Sequence, residues 1–153
     1  MKVLPRREFE EAIIPLISSE EEVSLEEAIK EAKGTAGYHS SSKGVFLPKG
    51  VSTSVRLHEL GHEAYGHGYE TSKNLRDIIF EEIEAEIYSW ENRGKEVTYR
   101  VGIEAVKQLV HDHGYTPKEA VYWVSLHLVE DFNISVSKED KKDLLALAKK
   151  VDR

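Results

Sequence analysis

The order of apolar and polar positions predicts a chain of helices interrupted by one β segment. In the first third, apolar residues recur at helical spacing in two short stretches. The second is opened by Ser24 with Glu27 three residues on, a capping pair, and closed by Gly34. From Ala36 to Gly50 the period changes. Tyr38-His39-Ser40-Ser41-Ser42-Lys43-Gly44-Val45-Phe46-Leu47-Pro48 sets apolar and β-branched residues around a Ser/Gly turn. That pattern predicts a β-hairpin with Pro48 at an exposed or terminal strand position. Ser52, Thr53 and Ser54 then offer N-caps to a helix that stops near Gly66 or Gly68. Further helices are expected over Asn74 to Asn92, closed by Gly94, and over Val101 to His113. Two more follow, from Pro117 to Asp131 behind Thr116-Pro117-Lys118-Glu119 and behind Ser137. The stretch from Pro117 to Phe132 is apolar on nearly every side and reads as core.

The helix after Ser52 carries His58-Glu59-Leu60-Gly61-His62. Two histidines four residues apart project from one helical face, so both imidazoles can converge on one ion. Glu59 can reach a metal-bound water and accept its proton as the water attacks a carbonyl. A His-Glu-x-x-His string arises by chance in a chain of this composition with a probability of ~0.05, so its surroundings must decide. On a helical wheel Val51, Val55 and Tyr65 fall near the two histidines, which places the pair on an apolar face where buried imidazoles need partners.

A catalytic zinc takes three protein ligands and keeps one open position. The glutamate-rich helix that follows is the expected source of the third. Leu75, Ile78, Ile79, Phe80, Ile83, Ile87 and Trp90 define a broad apolar arc that contains Glu82 and Glu86, whereas Glu81, Glu84 and Glu91 fall outside it on the expected solvated side. A carboxylate on a buried face needs a cation or strong donors, which makes Glu82 the third ligand. Glu86, one turn along, is the alternative ligand, or else the acceptor that orients a ligating histidine through its second ring nitrogen.

Other histidines are weaker candidates. His67 lies between Gly66 and Gly68, past the expected helix end, and cannot share the ligand face by helical spacing. His111-Asp112-His113, before Gly114, reads as a last helical turn interacting with the helix dipole, and no second metal is expected. The charge runs Glu20-Glu21-Glu22 and Lys138 to Asp143 read as solvated faces.

Composition narrows the chemistry. The 153 residues suffice for one core, with 40% hydrophobic and 32% charged residues. There is no cysteine, so a zinc site must be built from histidine and carboxylate, which favours a catalytic over a structural site. A net charge of -7 argues against nucleic acid as a partner. No apolar run approaches a membrane span, and Met1 to Glu8 lacks the apolar stretch of a secretory signal, so no membrane partner and a cytoplasmic location are expected. Asparagine and glutamine are scarce beside Glu and Lys, a balance found in hyperthermophilic proteins.

These residues resemble the gluzincin metallopeptidases. Glu82 follows His62 by twenty residues, close to the interval of that clan, and Glu82-Ile83-Glu84-Ala85-Glu86 is similar to its Glu-x-x-Ala-Asp/Asn pattern. Glu86 stands where Asp or Asn is commoner. The run from Gly44 through His62 also resembles the ImmA/IrrE-like and minigluzincin groups, which place a hairpin just before the motif helix. The metzincin variant is excluded by Tyr65 and Gly68. The resemblance covers about Gly37 to Trp90. It implies zinc at His58, His62 and Glu82, Glu59 as general base, and a peptide or protein substrate pairing with the strand Val45 to Leu47 at a sheet edge. Tyr65, His127, His111, His113 and Tyr115 are all conceivable stabilisers of the tetrahedral intermediate.

The expectation is therefore a single α+β, zincin-like domain over residues 1–153, mostly helical, with a small antiparallel sheet or hairpin beside the motif helix. N-terminal helices occupy 1–35, the hairpin and metal-binding helices 36–93, and a helical segment 94–153. The expected activity is zinc-dependent peptide hydrolysis. The competing expectation is a zinc-binding sensor or regulatory protein without turnover.

Overall fold

The computed structural model describes residues 1–68 and 74–151. In chain order the elements are β1 (Lys2–Leu4), α1 (Arg6–Glu20), α2 (Leu25–Gly34), β2 (Tyr38–Ser40), β3 (Gly44–Pro48), α3 (Thr53–Ala64) and α4 (Leu75–Asn92). A 3-10 turn (Tyr99–Gly102), α5 (Ile103–His113), α6 (Pro117–Phe132) and α7 (Lys138–Val151) follow. The described residues are mostly helical and carry one three-stranded mixed sheet. No described helix is long and apolar enough to cross a membrane. The chain divides into two compact units, Met1–Lys73 and Asn74–Arg153. The division falls within the segment 36–93 that holds both expected metal-binding helices.

In the first unit, Phe9, Ile13 and Ile17 stand four residues apart on α1 and form one fully buried stripe. Ala28 and Ala32 of α2 pack against it with Tyr38 and Phe46 of the sheet. The small alanines let the two helices approach closely. Arg6 caps the C-terminal end of α2, its guanidinium donating to the carbonyls of Thr35 at 2.7 Å and Ala32 at 2.8 Å. Those carbonyls have no partner within the helix, and the charge complements its dipole.

The expected hairpin is present as β2 and β3, antiparallel with Tyr38 opposite Phe46 and Ser40 opposite Gly44. The sheet is larger than the hairpin and mixed, because β1 pairs in parallel with β3, Lys2 opposite Phe46 and Leu4 opposite Pro48. The strand order is β1-β3-β2. β3 is therefore the central strand, hydrogen-bonded on both sides, and Val45 to Leu47 has no edge to offer a peptide. This corrects the expected pairing. Lys2-Val3-Leu4 is too short for an alternation to register, so nothing in the pattern announces the neighbour that covers β3.

The run Glu20 to Glu22 is also more than a solvated face. Glu20 ends α1, and its carboxylate accepts from Ser40 Oγ at 2.6 Å, the Ser41 N–H at 2.6 Å and Ser41 Oγ at 2.8 Å. One carboxyl side chain thus gathers the polar groups of the β2–β3 turn.

The motif helix α3 is capped by Ser52, whose hydroxyl accepts from the Val55 N–H at 3.3 Å. It ends where Gly66 takes a left-handed φ of 67°. The Gly66 N–H then donates to Glu63 O at 3.1 Å and the His67 N–H to His62 O at 2.9 Å. This glycine turn closes the helix and folds His67 back over its last turn.

In the second unit, Asn74 caps α4 by accepting from the Asp77 N–H at 2.9 Å. Ile79, Ile83, Val101, Val106, Leu109, Val124, Leu128 and Leu144 meet in its core. The expected box at Thr116 and Glu119 is present, and α6 turns Ala120, Val124 and Leu128 inward while Tyr122 and Val129 stay exposed. Gly102 packs so closely on α6 that a Cβ there would stand 2.7 Å from Val124 Cγ1.

Replacing Glu20 with Ala leaves the three turn donors without their acceptor, and the first unit should lose about 1–3 kcal/mol. Glu20→Gln, which keeps one acceptor oxygen, should lose less. Urea unfolding of the variants beside wild type measures both.

Candidate metal centre

His58 and His62 stand one turn apart on α3 with their Nε2 atoms 3.1 Å apart. Their rings meet edge to face, centroids 4.7 Å apart and planes at 81°. Two nitrogens each bound to one tetrahedral zinc stand about 3.3 Å from each other, so the pair has the spacing of two ligands to a single ion. Two imidazole lone pairs at this distance repel unless a proton or a cation lies between them. The donor set suits a cation of the zinc type, and both histidines are half-buried.

Glu59 is half-buried on the same helix. Gly37, at the entry to β2, gives its side chain room, since a Cβ on Gly37 would stand 3.1 Å from Glu59 Cγ and 3.1 Å from Leu47 Cδ2. β2 continues past the motif, and the His39 ring lies parallel to that of His62, centroids 6.0 Å apart and planes at 13°.

Glu82 lies on α4 in the second unit and is half-buried. His58, His62 and Glu82 each offer one ligand atom and together make a group that could hold a metal ion. The Glu86 carboxylate accepts from the Trp90 indole N–H on its own helix at 3.3 Å. The division of glutamates is softer than the helical wheel predicts. Glu91 is exposed, but Glu81 and Glu84 are half-buried like Glu82 and Glu86, so burial does not single out two of them.

His67 departs furthest from the sequence reading. Helical spacing keeps it off the ligand face, yet the turn at Gly66 brings its Nδ1 to 2.9 Å from His62 Nδ1. It is buried at 8% exposure, packed against His62 at 5.1 Å and stacked on Tyr65 at 5.9 Å. His39, Gly37 and His67 are the residues that motif spacing did not reach. The signal available for His67 was Gly66 itself, because a glycine just past a helix end reverses the chain.

The remaining candidates are dispersed. His111 and His113 occupy the last turn of α5 before Gly114 and are exposed. His127 Nδ1 lies 2.8 Å from Asp131 Oδ2, and Arg76 donates to the other oxygen of Asp131 at 3.2 Å. Tyr115 packs against the core of the second unit.

Comparisons with protein-family models, with curated proteins and with solved structures found no match to this chain.

Burial lowers the His39 pKa to about 4, His62 and His67 adding to the effect and Glu63 and Glu20 opposing it. An unfolded histidine takes up its proton near 6.5, so between these values the unfolded state binds more protons than the folded one. Stability is then complete above about pH 6.5 and falls as the pH drops toward 4. In metal-free protein the His39 ring resonances should hold still down to about pH 5, while thermal unfolding temperature declines over the same interval; an NMR titration and melts at stepped pH test this.

Proposed function

We propose that the protein is a zinc-dependent metallopeptidase of the zincin-like kind, with His58, His62 and Glu82 as ligands and Glu59 as general base. The observation that carries the reading is the 3.1 Å approach of the two Nε2 atoms on the helix that also bears Glu59. The group that could hold a metal ion supports Glu82 as the third ligand.

Zinc supplies Lewis acidity, bringing the pKa of water toward neutrality and polarising a carbonyl oxygen. Glu59 is set one residue from His58 on the motif helix, where its carboxylate takes the proton of the attacking water and later delivers it to the leaving amine. Gly37 keeps the path of the Glu59 side chain clear. An extended peptide substrate is assigned to the outer side of β2, because β3 already has a neighbour on each side. β2 is the outer strand next to the motif, with Gly37 at Glu59 and His39 at His62. Main-chain pairing there would hold the substrate with little demand on its sequence.

Elemental analysis should find roughly one zinc per chain in wild type and little in His58→Ala or Glu82→Ala. Glu59→Gln should keep its zinc and lose peptide hydrolysis by at least about 100-fold. Hydrolysis of a mixed peptide library that survives Glu59→Gln overturns the catalytic role, and wild type that takes up no zinc overturns the site. Gly37→Ala should bind zinc normally but hydrolyse peptides about tenfold more slowly or worse, since small displacements of a catalytic group are costly.

A further inference from the structure

We propose that His67 is the positioning residue for the ligand His62, accepting a hydrogen bond from His62 Nδ1–H so that Nε2 is held as the metal-binding nitrogen. This rests on the zinc reading above and concerns a residue outside the ligand set.

The argument is one of proton placement. A neutral imidazole carries one N–H and one lone pair, and the two nitrogens cannot both donate or both accept. His62 turns Nε2 toward His58 Nε2 and Nδ1 toward His67 Nδ1. If Nε2 gives its lone pair to a metal, the ring proton must sit on Nδ1. At 2.9 Å that N–H points at His67 Nδ1, which must then be a bare acceptor with its own proton on Nε2. One metal ion therefore fixes the tautomers of two histidines in series. An acceptor behind a ligating imidazole orients the ring and strengthens its donor nitrogen.

The surroundings hold His67 to this task. Gly66 in its left-handed conformation returns the chain, and the His67 N–H is bonded to the carbonyl of His62 itself at 2.9 Å. Backbone and ring of His67 thus grip the same residue. Tyr65 stacks on the His67 ring, and His67 is itself buried. The same turn carries His67 into the wall of a polar recess shared with His39, Ser42, Gly44 and Glu63.

The test is zinc affinity, measured by competition with a chromophoric chelator, together with ring tautomers. His67→Leu removes the acceptor and should weaken zinc binding by about 10–100-fold. His67→Asn places a carbonyl oxygen where Nδ1 stood and should recover most of the loss. In zinc-loaded wild type, long-range proton–nitrogen correlation should find the proton of His62 on Nδ1 and that of His67 on Nε2. The tautomer measurement needs no variant, so it decides even if His67→Leu fails to fold. A His67→Leu protein with affinity within about twofold of wild type, or a proton on His67 Nδ1, overturns the proposal while leaving zinc binding intact. Wild type that takes up no zinc overturns it together with its premise, and the two failures are distinguished by the wild-type titration.

Discussion

The close approach of two imidazole nitrogens on one helix is the constraint around which the candidate centre is arranged. His58 and His62 bring their Nε2 atoms to 3.1 Å, where either one ring donates its proton to the other or a cation stands between two bare nitrogens. The surrounding features make sense as ways to hold that confrontation in place. Ser52 caps the helix that carries both rings, Gly66 ends it, His39 lies along one ring and His67 backs it. A stiff helix sets the spacing, and neighbours keep the imidazoles from rotating away.

Local signals carried the sequence reading well and non-local ones escaped it. Ser24, Ser52 and the Thr116–Glu119 pair cap helices because capping is settled within four residues. The four-residue spacing of His58 and His62 was legible for the same reason. By contrast, β1 was invisible, since three residues hold no period, and its pairing with β3 depends on chain that lies between them. Glu20 was read as one charge in an acidic run, although its role is set by Ser40 and Ser41 from another element. His67 escaped because helical spacing stops applying once Gly66 turns the chain.

The glutamates of α4 show where a wheel loses resolution. It sorts side chains by angle and treats one face as dry and the other as wet. Glu81 and Glu84 lie on the supposedly wet side and are half-buried all the same. A helix with carboxylates at so many angles keeps its charges tolerable through specific partners, such as the Trp90 indole on Glu86, rather than through exposure alone. The choice of Glu82 therefore rests on its grouping with the two histidines and not on amphipathicity.

The parallel pairing of β1 with β3 joins distant parts of the first unit. Val3 and Leu47 are separated in sequence by α1, α2 and β2, so that ladder closes a long loop, whereas the helices and the hairpin need only near neighbours. Loop closure of this kind delays assembly. Without β1 the central strand would be half-paired, and an extended segment of another chain could take the vacant side. β1 therefore acts as a guard for β3, closing a ladder that would otherwise be open to foreign strands.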